Sequence, residues 1–169
     1  MPAMKRRFLA GALATLACAL WPLPVQAEES IIKNPGDHPR YGIDVEPHAL
    51  LGYGGFGFKD GAPGLGVRGT FILVENGFVP SINNNVGLGF GFDAFFDGFV
   101  DIPVVMQWNF FLSTHWSVFG EPGLGIELGG AGKLHPIFAV GGRYHFTENI
   151  ALVMRLGFPT ASVGVAFLL

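Results

Sequence analysis

The chain has 169 residues, of which 50% are hydrophobic and only 14% charged, against roughly 25% charged in an average soluble domain. Residues 28–169 hold all 13 acidic groups but seven of the ten basic ones, a formal charge of −6 with His neutral and no basic run, so nucleic acid is not an expected partner. The single cysteine, Cys18, lies near the N-terminus, so the disulfides that staple many small exported domains are excluded for the rest.

Residues 1–27 read as a secretory signal peptide. Lys5-Arg6-Arg7 is a basic start, Phe8 to Leu23 is apolar, and Val25-Gln26-Ala27 is a small-residue cleavage site. The unbroken run from Phe8 to Trp21 falls short of the roughly 18 residues a membrane helix needs. Residues 28–40 are polar and Pro-containing, an N-terminal periplasmic segment. Residues 41–169 are expected to form one domain.

Across that domain the apolar residues recur with a period of two, the signature of strands. Ile43, Val45, Ala49 and Leu51 oppose Asp44, Glu46 and His48. Leu65, Val67, Phe71 and Leu73 oppose Arg68 and Thr70. Val86, Leu88, Phe90 and Phe92 alternate with Gly87, Gly89, Gly91 and Asp93. Ile102, Val104, Met106, Trp108 and Phe110 alternate with Pro103, Val105, Gln107 and Asn109. Trp116, Val118, Leu124, Ile126 and Leu128 oppose Ser117, Glu121, Gly123 and Glu127. Phe138, Val140, Tyr144 and Phe146 oppose Ala139, Gly141, Arg143 and His145. Ile150, Leu152, Met154, Leu156 and Phe158 oppose Ala151, Arg155 and Gly157. Ala161, Val163, Val165, Phe167 and Leu169 oppose Ser162, Gly164 and Ala166.

Eight such segments, most near the 9–11 residues that cross a bilayer at a tilt, predict an all-β fold: an eight-stranded antiparallel up-and-down transmembrane β-barrel. A soluble sandwich or a lipocalin-like ligand binder shares the alternation. Here, however, the apolar face carries the bulky side chains, and the other face mixes charge with glycine, alanine and serine. A water-facing surface rarely spends glycine within strands, whereas the lumen of an eight-stranded barrel has room for little else beside a few charged groups. The links support this. Ser113-Thr114-His115 and Thr147-Glu148-Asn149, after the fourth and sixth segments, are tight and polar, as periplasmic turns are. Glu75–Asn85 is longer, with Pro80 and three asparagines suggesting an ordered turn. Tyr53–Pro63, Phe95–Val100, Gly129–Leu134 and Pro159-Thr160 are expected as the outer links.

Several stretches carry a family resemblance: Glu75–Asn84, Gly89-Phe90-Gly91-Phe92-Asp93, Pro103–Phe110, Trp116–Leu124, Gly141–Phe146 and Ala161–Val165. On these the chain resembles the small, porin-like β-barrel outer-membrane proteins of Gram-negative bacteria, close to barrels inferred from sequence in myxobacteria and their relatives. The resemblance implies the cell outer membrane, contact with membrane lipid, insertion by the barrel-assembly machinery and a monomer. It implies no activity. Such barrels end in an aromatic residue, whereas here Phe167 is followed by Leu168-Leu169.

Two groups of residues are the candidate sites. Facing inward, Glu46, Arg68, Asp93, Glu121, Glu127, Arg143 and Arg155 are expected to form a lumen charge network, because charges in a confined space must be paired. The pairing expected is Arg68, Arg143 and Arg155 with Glu46, Asp93, Glu121 and Glu127. Facing outward, Trp108, Phe110, Trp116, Tyr144 and Phe146 are expected to form an aromatic girdle at the lipid–water boundary. The chain is not expected to be an enzyme. The alternative is a lipid-modifying barrel, for which His48 and Ser162 are a conceivable pair on the adjoining first and last strands. The five histidines have no metal-ligand spacing, the Gly52–Gly57 stretch lacks the features of a phosphate loop, and no cofactor is expected.

Overall fold

The computed structural model describes residues 28–55, 58–128 and 133–169. Those residues form eight strands and no helix: β1 (Ile43–Gly55), β2 (Phe58–Val74), β3 (Asn84–Phe95), β4 (Val100–Phe111), β5 (Trp116–Leu128), β6 (Leu134–His145), β7 (Ile150–Phe158) and β8 (Thr160–Leu168). Each pairs antiparallel with the next. β1 pairs with β8, from Val45 opposite Phe167 to Leu51 opposite Ala161, so the sheet closes and no edge is left unpaired. The predicted eight-stranded antiparallel barrel is the observed fold.

The alternation sorts side chains in the direction read from the sequence. Leu73, Val140, Phe138 and Leu156 stand on the outside, each more than 60% exposed, while Asp44, Glu46, Gln107, Ser117, Glu121 and Arg143 are inside and no more than 1% exposed. Apolar bulk outside and charge inside inverts the arrangement of a protein folded in water. Inward glycines make the narrow interior possible. A Cβ on Gly66 would collide with Asp93 and His48, one on Gly125 with His135, and one on Gly141 with the ring of Phe119.

Gly42, just before β1, and Leu169 lie at one end of the barrel, the terminal end, with the links after β2, β4 and β6. Gly42 there donates to the carbonyl of Leu169. Residues 28–40 lie across this mouth. Ile31 N–H donates to Leu112 O, Asn83 N–H to Ile32 O, and the His38 ring stacks on Phe111 at 4.4 Å. The mouth that remains is a cavity of about 590 Å³ between this segment and the links that follow β4 and β6.

Three expectations need correction. Tyr53–Pro63 is mostly hairpin rather than loop. β1 runs on to Gly55, with Tyr53 opposite Asp60 and Gly55 opposite Phe58 of β2. At the start of β6, Leu134 is already strand. The third concerns Val86, expected to face lipid, which is 3% exposed because the link after β2 folds back over the outer wall. Phe78 reaches the ring of Trp108 at 5.5 Å, and the Asn84 amide donates to Val79 O and Ile82 O while accepting from Trp108 Nε1. Gly77 is needed in that fold-back. Its φ is +39°, and a Cβ there would strike the Asn84 amide. The signal peptide expected at residues 1–27 lies outside the described residues.

Candidate functional site

Every strand contributes a polar side chain to one connected set in the lumen. Arg155 of β7 is its hub. Its Nη1 and Nη2 donate to the two oxygens of Glu46 at 2.8 and 3.0 Å, its Nε and Nη2 to Glu121 at 2.7 and 3.2 Å, and its Nη1 also to Ser162 of β8 at 3.1 Å. Arg68 of β2 donates to Glu121 Oε2 at 3.0 Å and lies 3.6 Å from Asp93 Oδ2 of β3. Gln107 of β4 donates to Glu121 Oε1 at 2.6 Å and accepts from Arg143 Nη2 at 3.0 Å. The guanidinium carbons of Arg143 and Arg155 sit 5.4 and 5.2 Å from the centroid of the inward Phe119 ring.

All seven residues named for the lumen from sequence face inward and are buried. The pairing differs for two of them. Arg143 reaches Asp44 at 2.7 Å, and Tyr41 OH at 3.0 Å, rather than any of the four carboxylates expected. The side chains meet across the lumen, from β6 to β1, where strand spacing alone specifies no partner. Glu127 reaches no arginine among the described residues, and its Oε2 accepts no hydrogen bond. The five girdle residues face outward near the terminal end. Trp108–Phe110 and Trp116–Tyr144 are both 4.9 Å apart, and Tyr144–Phe146 is 5.1 Å apart.

Six buried carboxylates share the lumen with only three arginines. Asp44, Glu46 and Glu121 hold the arginines closely, which leaves Asp93, Asp101 and Glu127 together toward the far end. These three are direct cross-strand neighbours, Asp93 opposite Asp101 and Asp101 opposite Glu127. Asp101 Oδ1 accepts no hydrogen bond, and the nearest basic partners are His135, 3.5 Å from Asp101, and His48, 2.9 Å from Asp93. His48 Nδ1 faces the Glu46 carbonyl, so both its ring nitrogens meet acceptors. Like charges directly opposed across strands are destabilising. Asp101→Asn keeps the shape and removes one of them, so it should leave stability unchanged or raise it by about 1 kcal/mol, read as the urea midpoint in detergent.

The conceivable His48–Ser162 pair is not formed. His48 turns to Asp93, and Ser162 accepts from Arg155. Ser117 instead meets His145 Nε2 at 3.0 Å, but Ser117 is fully buried and His145 Nδ1 has no hydrogen-bond partner. No group of three or more His, Asp, Glu or Cys able to hold a metal ion occurs among the described residues. Sequence reading missed Asn83, Asn84 and Asn85 as buried residues. The available signal was three consecutive amides, which carry both donors and acceptors and tie down backbone. Asn85 accepts from Asn109 at 2.7 Å, and Asn83 donates to Asp37 O at 2.8 Å.

At the terminal mouth, Glu28 accepts from Ser113 Oγ at 2.7 Å and from His115. The Ser113 hydroxyl and the His115 ring together hold the Glu28 carboxyl at about 2, below its ordinary 4.5. A depressed carboxyl pKa contributes stability that is present above the unfolded value and lost as pH falls through the folded one. Docking of the N-terminal segment should therefore be complete above 4.5 and released near pH 2. Hydrogen exchange of the Ile31 amide measures it, and Glu28→Gln should abolish the acid step.

No family model and no curated protein matches the chain. Among solved structures it is similar to designed membrane proteins. The solution NMR structure of the de novo designed TMB2.3 is 15% identical, with 79% of this chain and 97% of that one covered and a TM-score of 0.56. A structure from the de novo design of transmembrane beta-barrels is 13% identical, with 82% and 99% covered and a TM-score of 0.54. These likenesses are of fold alone. The Yersinia pestis outer membrane protein Ail, in a phospholipid bilayer nanodisc, is 13% identical over 76% of this chain and 99% of that one, with a TM-score of 0.48.

Proposed function

We propose that the chain is an integral outer-membrane β-barrel of the small Gram-negative type, of the kind inferred in myxobacteria, with a closed lumen and a structural or surface role rather than a catalytic one. The inverted wall is the observation that carries the reading. A belt of exposed leucine, valine and phenylalanine surrounds a buried set of six carboxylates and three arginines, and this pays off energetically only where the surroundings are lipid. The terminal end faces the periplasm in this reading, and the girdle sits at its lipid–water boundary. The protein is exported by its signal peptide, inserted by the barrel-assembly machinery, and monomeric.

The narrow-pore part rests on the Glu46–Arg155–Glu121–Gln107–Arg143–Asp44 chain of hydrogen bonds, which spans the lumen from wall to wall. In planar bilayers the protein should show no steady conductance, and a stable open level would contradict this. Fractionation should recover it with the outer membrane. Recovery in the soluble periplasmic fraction would overturn the reading. The non-catalytic part is tested by comparing the lipids of cells with and without the gene. The expected profile is unchanged, and a gene-dependent lipid species would refute it.

A further inference from the structure

The outer wall has a groove across β5, β6 and β7. Most strand glycines lie where a Cβ would collide within the barrel; Gly69 of β2 does not, and neither does the pair Gly120 of β5 and Gly142 of β6 that shares one groove. Both point outward. A Cβ on Gly120 would meet nothing within 4 Å, one on Gly142 would meet only the Ser117 carbonyl at 3.8 Å, and neither has positive φ. The fold of the single chain gives no reason for glycine at these positions, and glycine costs strand stability there. Glycine inside a strand often marks a place where a ligand or another backbone approaches closely.

The two glycines form the floor of a groove of about 660 Å³. A smaller one of about 320 Å³ continues it past Gly120 to Pro122 and Phe138. The rims are exposed apolar side chains, with Val140 at 64% and Leu156 at 62%. The end nearer the chain termini opens beside the girdle. Val118, opposite Gly142, is two residues from Trp116, which pairs with Tyr144.

We propose that this groove holds one acyl chain of a membrane phospholipid, its headgroup level with Trp116 and Tyr144. The proposal rests on the membrane reading above. A mainly apolar trough that begins at an aromatic headgroup belt and runs toward mid-membrane has the polarity and direction of such a chain. A second copy fits less well. A twofold contact brings the same patch to itself, setting concave against concave and leaving the glycines uncovered.

Gly120→Leu and Gly142→Leu fill the groove with side chains whose first carbon is sterically free, so the double variant should fold, checked by heat-modifiable migration. Wild type and variant are reconstituted in palmitoyl-oleoyl phosphatidylcholine vesicles doped with a phosphatidylcholine carrying a photoactivatable acyl chain. The crosslinks are then mapped, and lipid retention after detergent release is read by native mass spectrometry. The expected result is wild-type crosslinking concentrated on Val140, Met154 and Leu156 with one retained lipid, and about tenfold weaker retention in G120L/G142L. Equal retention in both proteins, or crosslinks spread evenly around the wall, would overturn the proposal. So would a wild-type dimer that the double substitution disperses, which would assign the groove to a second copy. Failure of wild type to enter the vesicles at all would instead remove the membrane reading on which the proposal stands.

Discussion

Arg155→Met should destabilise the barrel by about 3–5 kcal/mol, the cost of leaving buried charge without its partner. The substitution strips Glu46 of both its arginine hydrogen bonds and Glu121 of two of its four. Arg68 and Gln107 remain on Glu121, so Glu46 is the worse affected. The loss therefore comes from the orphaned carboxylates more than from the missing guanidinium. Adding Glu46→Gln to Arg155→Met should then recover a large share of the stability, because a neutral amide is far cheaper to bury. Urea unfolding in phospholipid vesicles, followed on gels as the loss of the fast-migrating unheated band, reads both variants. An R155M barrel with a wild-type midpoint would mean that the network contributes nothing to folding.

Val163→Arg carries the second large effect, and it concerns the outside. Val163 is in the middle of β8, 49% exposed, between Ala49 of β1 and Met154 of β7. If that wall faces hydrocarbon near the bilayer midplane, arginine there should cost about 2–4 kcal/mol. If it faces water, an exposed valine can be replaced within about ±0.5 kcal/mol. Thr147→Arg, in the exposed link after β6, is the control and should cost about 0–1 kcal/mol, as charge does near the interfaces. Equal, negligible effects at both positions would mean that the outer belt never meets lipid.

Much of this was legible in the sequence because strand side chains alternate strictly, so one inward residue fixes the face of its whole strand. Asp44, Arg68, Gln107, Glu121, Arg143 and Arg155 could all be assigned inward in this way without knowing the register. Who meets whom could not. Arg143 finds Asp44 through the closure of the barrel and the stagger between strands, neither of which appears in any local pattern. The far end was misread for a related reason. The glycines and phenylalanine around Tyr53 look like a loop, yet cross-strand pairing with β2 carries β1 on to Gly55. Links that fold back were the other blind spot. Val86 obeys the alternation but is covered by residues 75–83, and the N-terminal segment seats His38 on Phe111. Contacts of this kind arise once the barrel exists and leave no periodic trace.

The central claim is that this barrel is built inside out for lipid. The most direct measurement dilutes the urea-unfolded protein into buffer with and without phosphatidylcholine vesicles, then follows tryptophan fluorescence and unheated gel mobility. The account predicts a folded, faster-migrating band that floats with the vesicles, and aggregation without them. A soluble, monomeric, cooperatively folded β-protein formed in plain buffer would contradict it.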